Sequence, residues 1–425
     1  MTASFGPILI LIIVGISILL MLIRPRKIPE VYWVGCGALL LIALRLIPLP
    51  LAGHAIADGT DVYLFLIGMM LLSELARENG VFDWIASVAV EASQGSSRRL
   101  FLLIYLVGVV VTVCLSNDAT AVVLTPAVLA AVRRSKAAPL PFLFACAMIA
   151  NAASFVLPIS NPANLVVFHF GMPPLGRWLL SFLFPSLLSI AVTYAVLRWY
   201  FRHDLTAPLE MPSGKVRLHA NGKLVLAGLA AVVLVLLVMS ALNRDLGLPT
   251  CLAALCVTLI VCIKERANPL SLAKEISWAT LGLVAALFIL VAAVESIGAL
   301  HVVESALHRM AALGPKAGPL TAALVVAIAN NLVNNLPLGL MAGAALTSSQ
   351  IHGPIAEAVM IGVDLGPNLS VTGSLATILW LLALRREGLH VRAMDFLKIG
   401  TIAMPAALLA SMAGYFLMQA ALAVR

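Results

Sequence analysis

Long apolar segments separated by short charged ones constrain the fold of this chain more than any other feature. The first two segments are Pro7–Ile23 and Val31–Ile47, and Arg24, Arg26 and Lys27 lie between them. A helix needs about 20 mostly apolar residues to cross the hydrocarbon core of a bilayer. Since 62% of the 425 residues are hydrophobic and only 11% are charged, a water-soluble globular protein is excluded. The apolar runs do not alternate with polar residues as barrel strands do, so we expect an all-α polytopic membrane protein.

The formal net charge of +8 is concentrated in the segments between apolar runs, and it predicts orientation rather than binding to nucleic acid. The positive-inside rule assigns the ends of spans that carry Lys and Arg to the cytoplasm. Applied along the chain, this rule predicts that residues 202–223 form a cytoplasmic loop. It also predicts that the N-terminus and the C-terminus both lie outside. The expected location is the inner membrane of the cell.

A polar stretch, Ser116-Asn117-Asp118, lies between two apolar arms that are too short to cross a membrane. The arms Leu100–Val113 and Ala121–Val132 have about 12 to 14 residues, whereas a core of roughly 30 Å needs about 20 residues at 1.5 Å per residue. Basic residues flank the outer ends of both arms, which places both ends on one side. We therefore predict a re-entrant hairpin over 98–134, with its polar tip in a cavity enclosed by protein.

Three further polar interruptions follow along the chain. The apolar run 139–170 contains two prolines and several asparagines, and proline removes a backbone donor and clashes with the preceding helical turn. We therefore predict a broken helix over 139–170. The same reasoning predicts a second re-entrant hairpin over 319–348, with Asn334-Asn335 at its tip, and a second broken helix over 355–384.

The two halves of the chain share a spacing of 218 residues, which carries Asn117 onto Asn335 and Gly80 onto Gly298. Each half is predicted to hold five crossings, so the second half begins on the opposite side of the membrane. We expect two inverted-topology repeats, 6–201 and 224–419, each with five crossings, one re-entrant hairpin and one discontinuous helix. Secondary transporters often follow this plan, and their substrate site lies near the midplane where the broken helices meet.

The four polar segments resemble the signature segments of the ion transporter superfamily. They read Ser116-Asn117-Asp118-Ala119-Thr120, Ser160-Asn161-Pro162-Ala163-Asn164, Asn334-Asn335-Leu336-Pro337, and Gly366-Pro367-Asn368 followed by Thr372-Gly373-Ser374-Leu375-Ala376-Thr377. Over essentially its whole length the chain is most similar to the arsenite permeases, the arsenical pump membrane proteins. The resemblance implies export of trivalent arsenite or antimonite, driven by proton entry, and some members of that family also work with a soluble arsenite-stimulated ATPase. The sodium-coupled dicarboxylate branch is similar, but it usually has Ser-Asn-Thr at both tips, and the second tip here is Asn-Asn-Leu.

Amide and hydroxyl groups are the expected substrate-binding groups, because neutral As(OH)3 is a small triol. The four segments contain no Arg or Lys, whereas a dicarboxylate is expected to need cationic groups or several helix N-termini. The candidate substrate-binding residues are Ser116, Asn117, Asn151, Ser154, Ser160, Asn161, Asn334, Asn335, Asn368, Ser370, Thr372 and Ser374. For the asparagines, bracing of the broken backbone stays open as an equal alternative. Thiolate ligation by Cys114 or Cys146 is a less favoured one.

Asp118 is the only ionisable residue in the two predicted tips. An ionisable side chain inside a membrane is a functional candidate by default, so we hypothesise that Asp118 carries the coupling proton. The alternative is that it caps the returning arm of the hairpin through its side-chain oxygen. Asp364, at the head of the second break, is the second proton-coupling candidate.

The sequence points away from catalysis. It contains no HExxH, no GxSxG and no acidic pair spaced for metal–phosphate chemistry, so we expect neither catalytic residues nor a metal site, and no cofactor. The expected partners are arsenite or antimonite, protons and the lipid bilayer. A sodium/proton antiporter or an organic-anion carrier of the same superfamily stays open as an alternative function.

Overall fold

The computed structural model describes residues 5–210, 217–265, 274 and 276–423. Helices make up most of these residues, which contain an isolated β-bridge between Ser96 and Pro208 but no strand. The prediction of an all-α protein is therefore confirmed. Residues 211–216 of the predicted cytoplasmic loop 202–223 lie outside the described residues.

The first half of the chain folds into helices of very different lengths. They are α1 (Phe5–Ile23), α2 (Glu30–Ala43), α3 (Leu49–Asp58), α4 (Thr60–Glu78), α5 (Val81–Ser93), α6 (Ser97–Cys114), α7 (Thr125–Arg134), α8 (Leu140–Ala152), α9 (Pro162–Val167) and α10 (Leu175–Tyr200). A π-helical turn, Ala119–Leu124, precedes α7, and a 3-10 turn, Pro158–Ser160, lies between α8 and α9.

The second half has a comparable succession of helices. They are α11 (Ala220–Ala241), α12 (Gly247–Glu265), α13 (Trp278–Ser296), α14 (His301–Ala312), α15 (Ala317–Val333), α16 (Asn335–Ser348), α17 (Pro354–Leu365), α18 (Leu375–Arg386) and α19 (Ala393–Ala423). The 3-10 turns Gly366–Asn368 and Val371–Gly373 separate α17 from α18.

Seven of the described helices are long and apolar enough to cross a membrane, and α3 and α4, bent by 46° at their junction, add an eighth if they form one span. The seven are α1, α6, α10, α11, α12, α13 and α19. α6 is longer than the predicted apolar arm because it begins at Ser97, where the hydroxyl of Ser96 accepts a hydrogen bond from the backbone N–H of Arg99. The chain is a multi-pass membrane protein. Its division into five crossings and one re-entrant hairpin per half stays a prediction.

Packing across the two halves positions the functional site. The π-helical turn that follows Asp118 packs against α18, and α16 packs against α9. Each predicted hairpin therefore contacts the broken helix of the other half. Gly343 of α16 permits the close approach to α9, because a Cβ atom at this position would lie 2.5 Å from the carbonyl oxygen of Val167. Small residues allow helices in membranes to approach closely in this way.

Candidate functional site

One small cavity is lined by residues from both predicted tips and both helix breaks. The first tip contributes Asn117 and Asp118, the second tip Asn335, the first break Asn161 and the second break Ser374. Its volume is about 20 Å³, which is room for about one water molecule. We call this space the inter-tip cavity. Its existence means that four polar segments far apart in the sequence meet at one place.

A second cavity of about 170 Å³ adjoins the inter-tip cavity and shares Asp118 and Thr280 with it. We call it the access cavity. It is lined by Ser116 and by many apolar side chains, and it extends to Ser73 and Glu74 near the end of α4. The inter-tip cavity therefore adjoins a wider space that extends towards the end of α4.

Local hydrogen bonds shape the first tip and leave its carboxyl group available. The hydroxyl oxygen of Ser116 accepts a bond from the backbone N–H of Ala119 at 3.1 Å, and Asn117 Oδ1 accepts one from the backbone N–H of Asp118 at 2.9 Å. The side chain of Asp118 caps no helix, and it has no hydrogen-bond or ion-pair partner among the described residues. This geometry disfavours capping of the returning arm as the role of Asp118.

The π-helical turn directly after Asp118 was not predicted. Its Thr120 is fully buried and shares a hydrogen bond of 2.8 Å with the hydroxyl of Thr112 on α6. The hydroxyl of Thr125 donates to the carbonyl oxygen of Thr120 at 3.2 Å. Single π turns inside helices occur frequently at functional sites. Thr112, Thr120 and Thr125 therefore fix the backbone that carries the carboxyl group.

Asn161 connects the inter-tip cavity to the second acidic candidate, Asp364. Its Nδ2 donates to Asp364 Oδ1 at 2.6 Å, while its Oδ1 accepts the backbone N–H of Ala163 at 3.0 Å and so caps α9. Asp364 is fully buried, and within the described part of the chain its Oδ2 has no hydrogen-bond partner. Ser154 lies beside Asp364, but its hydroxyl donates to the carbonyl oxygen of Asn151 at 2.7 Å.

Asn151 and Asn368 join the two helix breaks directly and do not line either cavity. Asn151 Nδ2 donates to Asn368 Oδ1 at 2.9 Å, and Asn368 Nδ2 donates to the carbonyl oxygen of Met148 at 3.0 Å. Both side chains are buried. The geometry of this pair favours the bracing role over substrate contact.

Two other polar side chains of the first break satisfy its backbone. Asn164 Nδ2 lies 3.0 Å from the carbonyl oxygen of Ser154 and 3.2 Å from that of Pro158. The hydroxyl of Ser160 donates to the carbonyl oxygen of Val113, near the end of α6, at 3.2 Å. Because the break leaves carbonyl groups without helical partners, these side chains brace it. Ser160 lies away from both cavities.

The second tip is held against the second break. Asn334 adopts a φ of 82°, and its Nδ2 donates to the carbonyl oxygen of Thr372 at 3.2 Å. The hydroxyl of Ser370 donates to Asn331 Oδ1 at 2.6 Å, and the hydroxyl of Thr372 donates to the carbonyl oxygen of Asn331 at 3.0 Å. The candidates Asn334, Ser370 and Thr372 therefore brace the tip, and Asn335 alone of this group lines the inter-tip cavity.

Sequence reasoning missed the part of the site that comes from ordinary apolar spans. α4 supplies Leu66 to both cavities, and Thr280 near the start of α13 faces both as well. Glu74, which pairs with Arg77, lines the access cavity. Neither Cys114 nor Cys146 lines these two cavities. The described residues contain no group of three or more His, Cys, Asp or Glu side chains that could hold a metal ion.

Comparison with known proteins identifies the family. The sequence model of the citrate transporter family, CitMHS, matches residues 18–365. The arsenical pump membrane protein of Yersinia enterocolitica is 26% identical over 407 residues, which cover 91% of this chain and 93% of that protein. The arsenical pump membrane protein of Escherichia coli is 27% identical over 408 residues, with the same coverage of both chains.

A solved structure supports the fold. The YdaH transporter of Alcanivorax borkumensis, which is described as having an unusual topology, superposes with a TM-score of 0.55 at 14% sequence identity. The match covers 85% of this chain and 86% of that one. The resemblance to the arsenical pump membrane proteins that the polar segments predict is confirmed, and the chain belongs to the citrate transporter family of membrane proteins.

Proposed function

We propose that this protein is a secondary active transporter that exports trivalent arsenite or antimonite across the cytoplasmic membrane in exchange for protons. One observation carries the proposal. Among the described residues that line the inter-tip and access cavities, the polar groups are amides, hydroxyls and carboxyls, and none is Lys or Arg. This chemistry suits a small neutral solute that can both donate and accept hydrogen bonds.

The polar lining of the two cavities suggests the substrate. As(OH)3 has three hydroxyl groups and is larger than the inter-tip cavity, so we propose that it lies in the access cavity with one hydroxyl group in the inter-tip cavity. There the amides of Asn117 and Asn335 and the hydroxyls of Ser374 and Thr280 supply donors and acceptors. An organic-anion carrier is the second candidate, because the matching family is named for citrate transport. A tricarboxylate brought out of water would need opposite charges close to it, and the lining residues provide none. The names of the relatives also favour arsenic.

Asp118 is the proposed proton carrier, since its carboxyl group faces both cavities and has no partner among the described residues. A proton that enters from outside would bind this carboxylate and leave it on the cytoplasmic side, while As(OH)3 crosses in the other direction. Asp364 is the second candidate, and it would act through its hydrogen bond to Asn161.

The proposed architecture has two inverted repeats, 6–201 and 224–419. Two pairs of helix starts support it, because α13 begins 218 residues after α4 and α19 begins 218 residues after α10. The hairpins would be 98–134 and 319–348. With the basic ends of the spans in the cytoplasm, both termini lie outside and the access cavity opens to the cytoplasm, from which the substrate enters.

Arsenite flux into inside-out proteoliposomes, with no ATPase present, tests the proposal. We expect uptake that needs an outward-directed proton gradient, stops when a protonophore collapses that gradient, and does not respond to sodium. Asp118→Asn should abolish the dependence on the gradient, whereas Asp83→Asn, at an exposed site on α5, should preserve it. Flux that needs sodium, or saturable citrate flux in place of arsenite flux, would overturn the proposal.

A second arm addresses the soluble ATPase. Purified arsenite-stimulated ATPase and ATP are added to the same proteoliposomes after the protonophore. If a soluble ATPase is a partner, arsenite uptake should return, and it should fail to return with a non-hydrolysable ATP analogue. Uptake that stays at the background level would remove the ATPase from the proposal.

A further inference from the structure

A basic groove lies at one end of the helix bundle, away from the inter-tip cavity. It has a volume of about 430 Å³ and is lined by Arg98 from the start of α6 and by Arg198 and Arg202 from the end of α10 and the turn that follows it. All three arginines are exposed. Within the described residues, none of them pairs with a carboxylate. Arg202 Nε donates to His203 Nε2 at 3.2 Å, which leaves its remaining N–H groups without a carboxylate partner. Three guanidinium groups that lack carboxylate partners around one groove are suited to an anion, above all to a phosphate.

Aromatic side chains build the floor and rim of the groove. Tyr194, which lines it, stacks on Phe101 with ring centroids 5.7 Å apart and contacts Tyr105 at 5.2 Å. The hydroxyl of Tyr105 donates to the carbonyl oxygen of Ile190 at 2.7 Å, which ties α6 to α10. The guanidinium group of Arg202 lies 5.6 Å above the ring of Trp199. Tryptophan and tyrosine gather where a membrane meets water, so the groove lies at the level of lipid headgroups.

Two exposed apolar stripes continue from the groove into the span. Every fourth residue of α6 after Arg98 lies on the same helix face, and Leu102, Leu106 and Val110 on this face are 39%, 47% and 61% exposed. On α10, the face below Arg198 carries Ala191 and Leu187, and both are exposed. A free phosphate ion would gain nothing from these stripes, whereas a phospholipid would lay its acyl chains along them.

We propose that the groove of Arg98, Arg198 and Arg202 binds the headgroup of an anionic phospholipid, with its acyl chains against α6 and α10. Basic pockets between transmembrane helices bind anionic headgroups in this manner. The site does not depend on which substrate the protein carries.

Lipid binding to the purified, delipidated protein in neutral detergent tests this site. Native mass spectrometry would compare phosphatidylglycerol with phosphatidylcholine of identical acyl chains. We expect a preference for phosphatidylglycerol in the wild type, and a loss of about fivefold in its affinity for each arginine replaced by glutamine. The triple variant Arg98→Gln, Arg198→Gln, Arg202→Gln should therefore lose the preference.

A charge-matched variant distinguishes binding of the lipid in the groove from general attraction of anionic lipid to any basic surface. Arg99→Gln, Arg385→Gln, Arg386→Gln removes three exposed arginines outside the groove and should retain the preference. An equal loss in both triple variants would overturn the proposal. If the groove variant does not fold, the single variant Arg198→Gln replaces it, and an affinity unchanged within twofold would overturn the proposal.

Inorganic phosphate is the last arm of the experiment. A phosphate ion shares only the headgroup charge, so millimolar phosphate should compete weakly with phosphatidylglycerol and should not stabilise the wild type against heat. If inorganic phosphate alone stabilises the wild type as strongly as the lipid does, the groove is a site for free anions and the lipid assignment is wrong.

Discussion

Replacement of Asn161 by alanine should destabilise the protein through two separate contacts. The side chain of Asn161 caps α9 through its Oδ1 and donates its Nδ2 to Asp364. Alanine removes both contacts at once. It also removes the hydrogen bond that Asp364 Oδ1 accepts from Asn161, while Asp364 Oδ2 has no hydrogen-bond partner in the described chain.

The size of the effect follows from these contacts. Loss of an asparagine cap costs about 1 kcal/mol. Hydrogen bonds between side chains in membrane proteins contribute about 0.6 kcal/mol on average and up to about 1.7 kcal/mol, and a buried polar group left without a partner costs about 1–3 kcal/mol. The cost of the unpaired carboxyl group already includes the lost hydrogen bond, so the cap and this cost together should lower the free energy of unfolding of Asn161→Ala by about 2–4 kcal/mol.

A double-mutant cycle with Asp364→Asn measures how much of the contribution of this side-chain pair depends on the carboxyl group. The amide oxygen at position 364 still accepts the bond from Asn161, so this single substitution should cost less than about 1 kcal/mol. In that background Asn161→Ala loses the cap and only a neutral hydrogen bond, and the two substitutions should show a coupling of about 1–2 kcal/mol.

Unfolding in mixed micelles with increasing dodecyl sulfate, followed by tryptophan fluorescence, measures the free energy of unfolding of the wild type, both single variants and the double variant. Asn79→Ala is a suitable control, because the half-buried Asn79 makes one side-chain bond, to the carbonyl oxygen of Leu75 at 3.0 Å, and should cost about 1 kcal/mol. Additivity of Asn161→Ala and Asp364→Asn within about 0.5 kcal/mol would refute the inferred dependence of this pair on the carboxyl group of Asp364.

Two further predictions concern packing and pH. Gly400→Val should lower the free energy of unfolding by about 1–3 kcal/mol through overpacking, because a Cβ at Gly400 would overlap the carbonyl oxygen of Leu369. Thermal unfolding measures this effect, which should be clearly smaller in the control Gly176→Val, where a Cβ meets open space. Hydrogen bonds from Ser348 and from a neighbouring histidine lower the pKa of Glu304 below its usual 4.5. The stability that this lowered pKa contributes is present above pH 4.5 and is lost as the pH falls through the lower folded-state pKa. Glu304→Gln should therefore flatten the acid side of a plot of thermal midpoint against pH. An unchanged slope would contradict this assignment.

The helical class and the positions of both breaks were predictable because their causes are local. Apolar length predicts membrane spans, and prolines inside such a run, including Pro158 and Pro162, cannot continue a regular helix. α8 ends at Ala152 and α9 begins at Pro162. Burying an asparagine or a carboxyl group in a membrane is energetically unfavourable, so these residue types inside apolar runs indicate a site. On this ground the sequence predicts Asn117, Asp118, Asn161 and Asn335 as site residues, and all four line the inter-tip cavity.

The remaining part of the site depends on contacts that the sequence does not encode locally. Leu66 and Thr280 lie in ordinary spans, and they reach the inter-tip cavity only because α4 and α13 pass beside the tips. Helix packing also decides which asparagines brace the broken backbone and which line the cavity. Nothing in the sequence around Asn151 indicates that its partner is Asn368, because that partner is chosen by the packing of the two breaks.

The two tips differ in how they are held, and this difference bears on which of them can respond to a ligand. Asn334 of the second tip donates to the second break, whereas the side-chain bonds of Ser116 and Asn117 stay within the first tip. A substitution at Asn334 must therefore disturb the fold before it disturbs binding. Within the described residues the side chain of Asp118 makes no hydrogen bond that could be lost, so under the proposed function a change there should alter transport at little cost in stability. The carboxyl group that distinguishes the first tip from the second thus stands on a backbone that Thr112, Thr120 and Thr125 fix, while the side chain itself has no bond to the rest of the described chain.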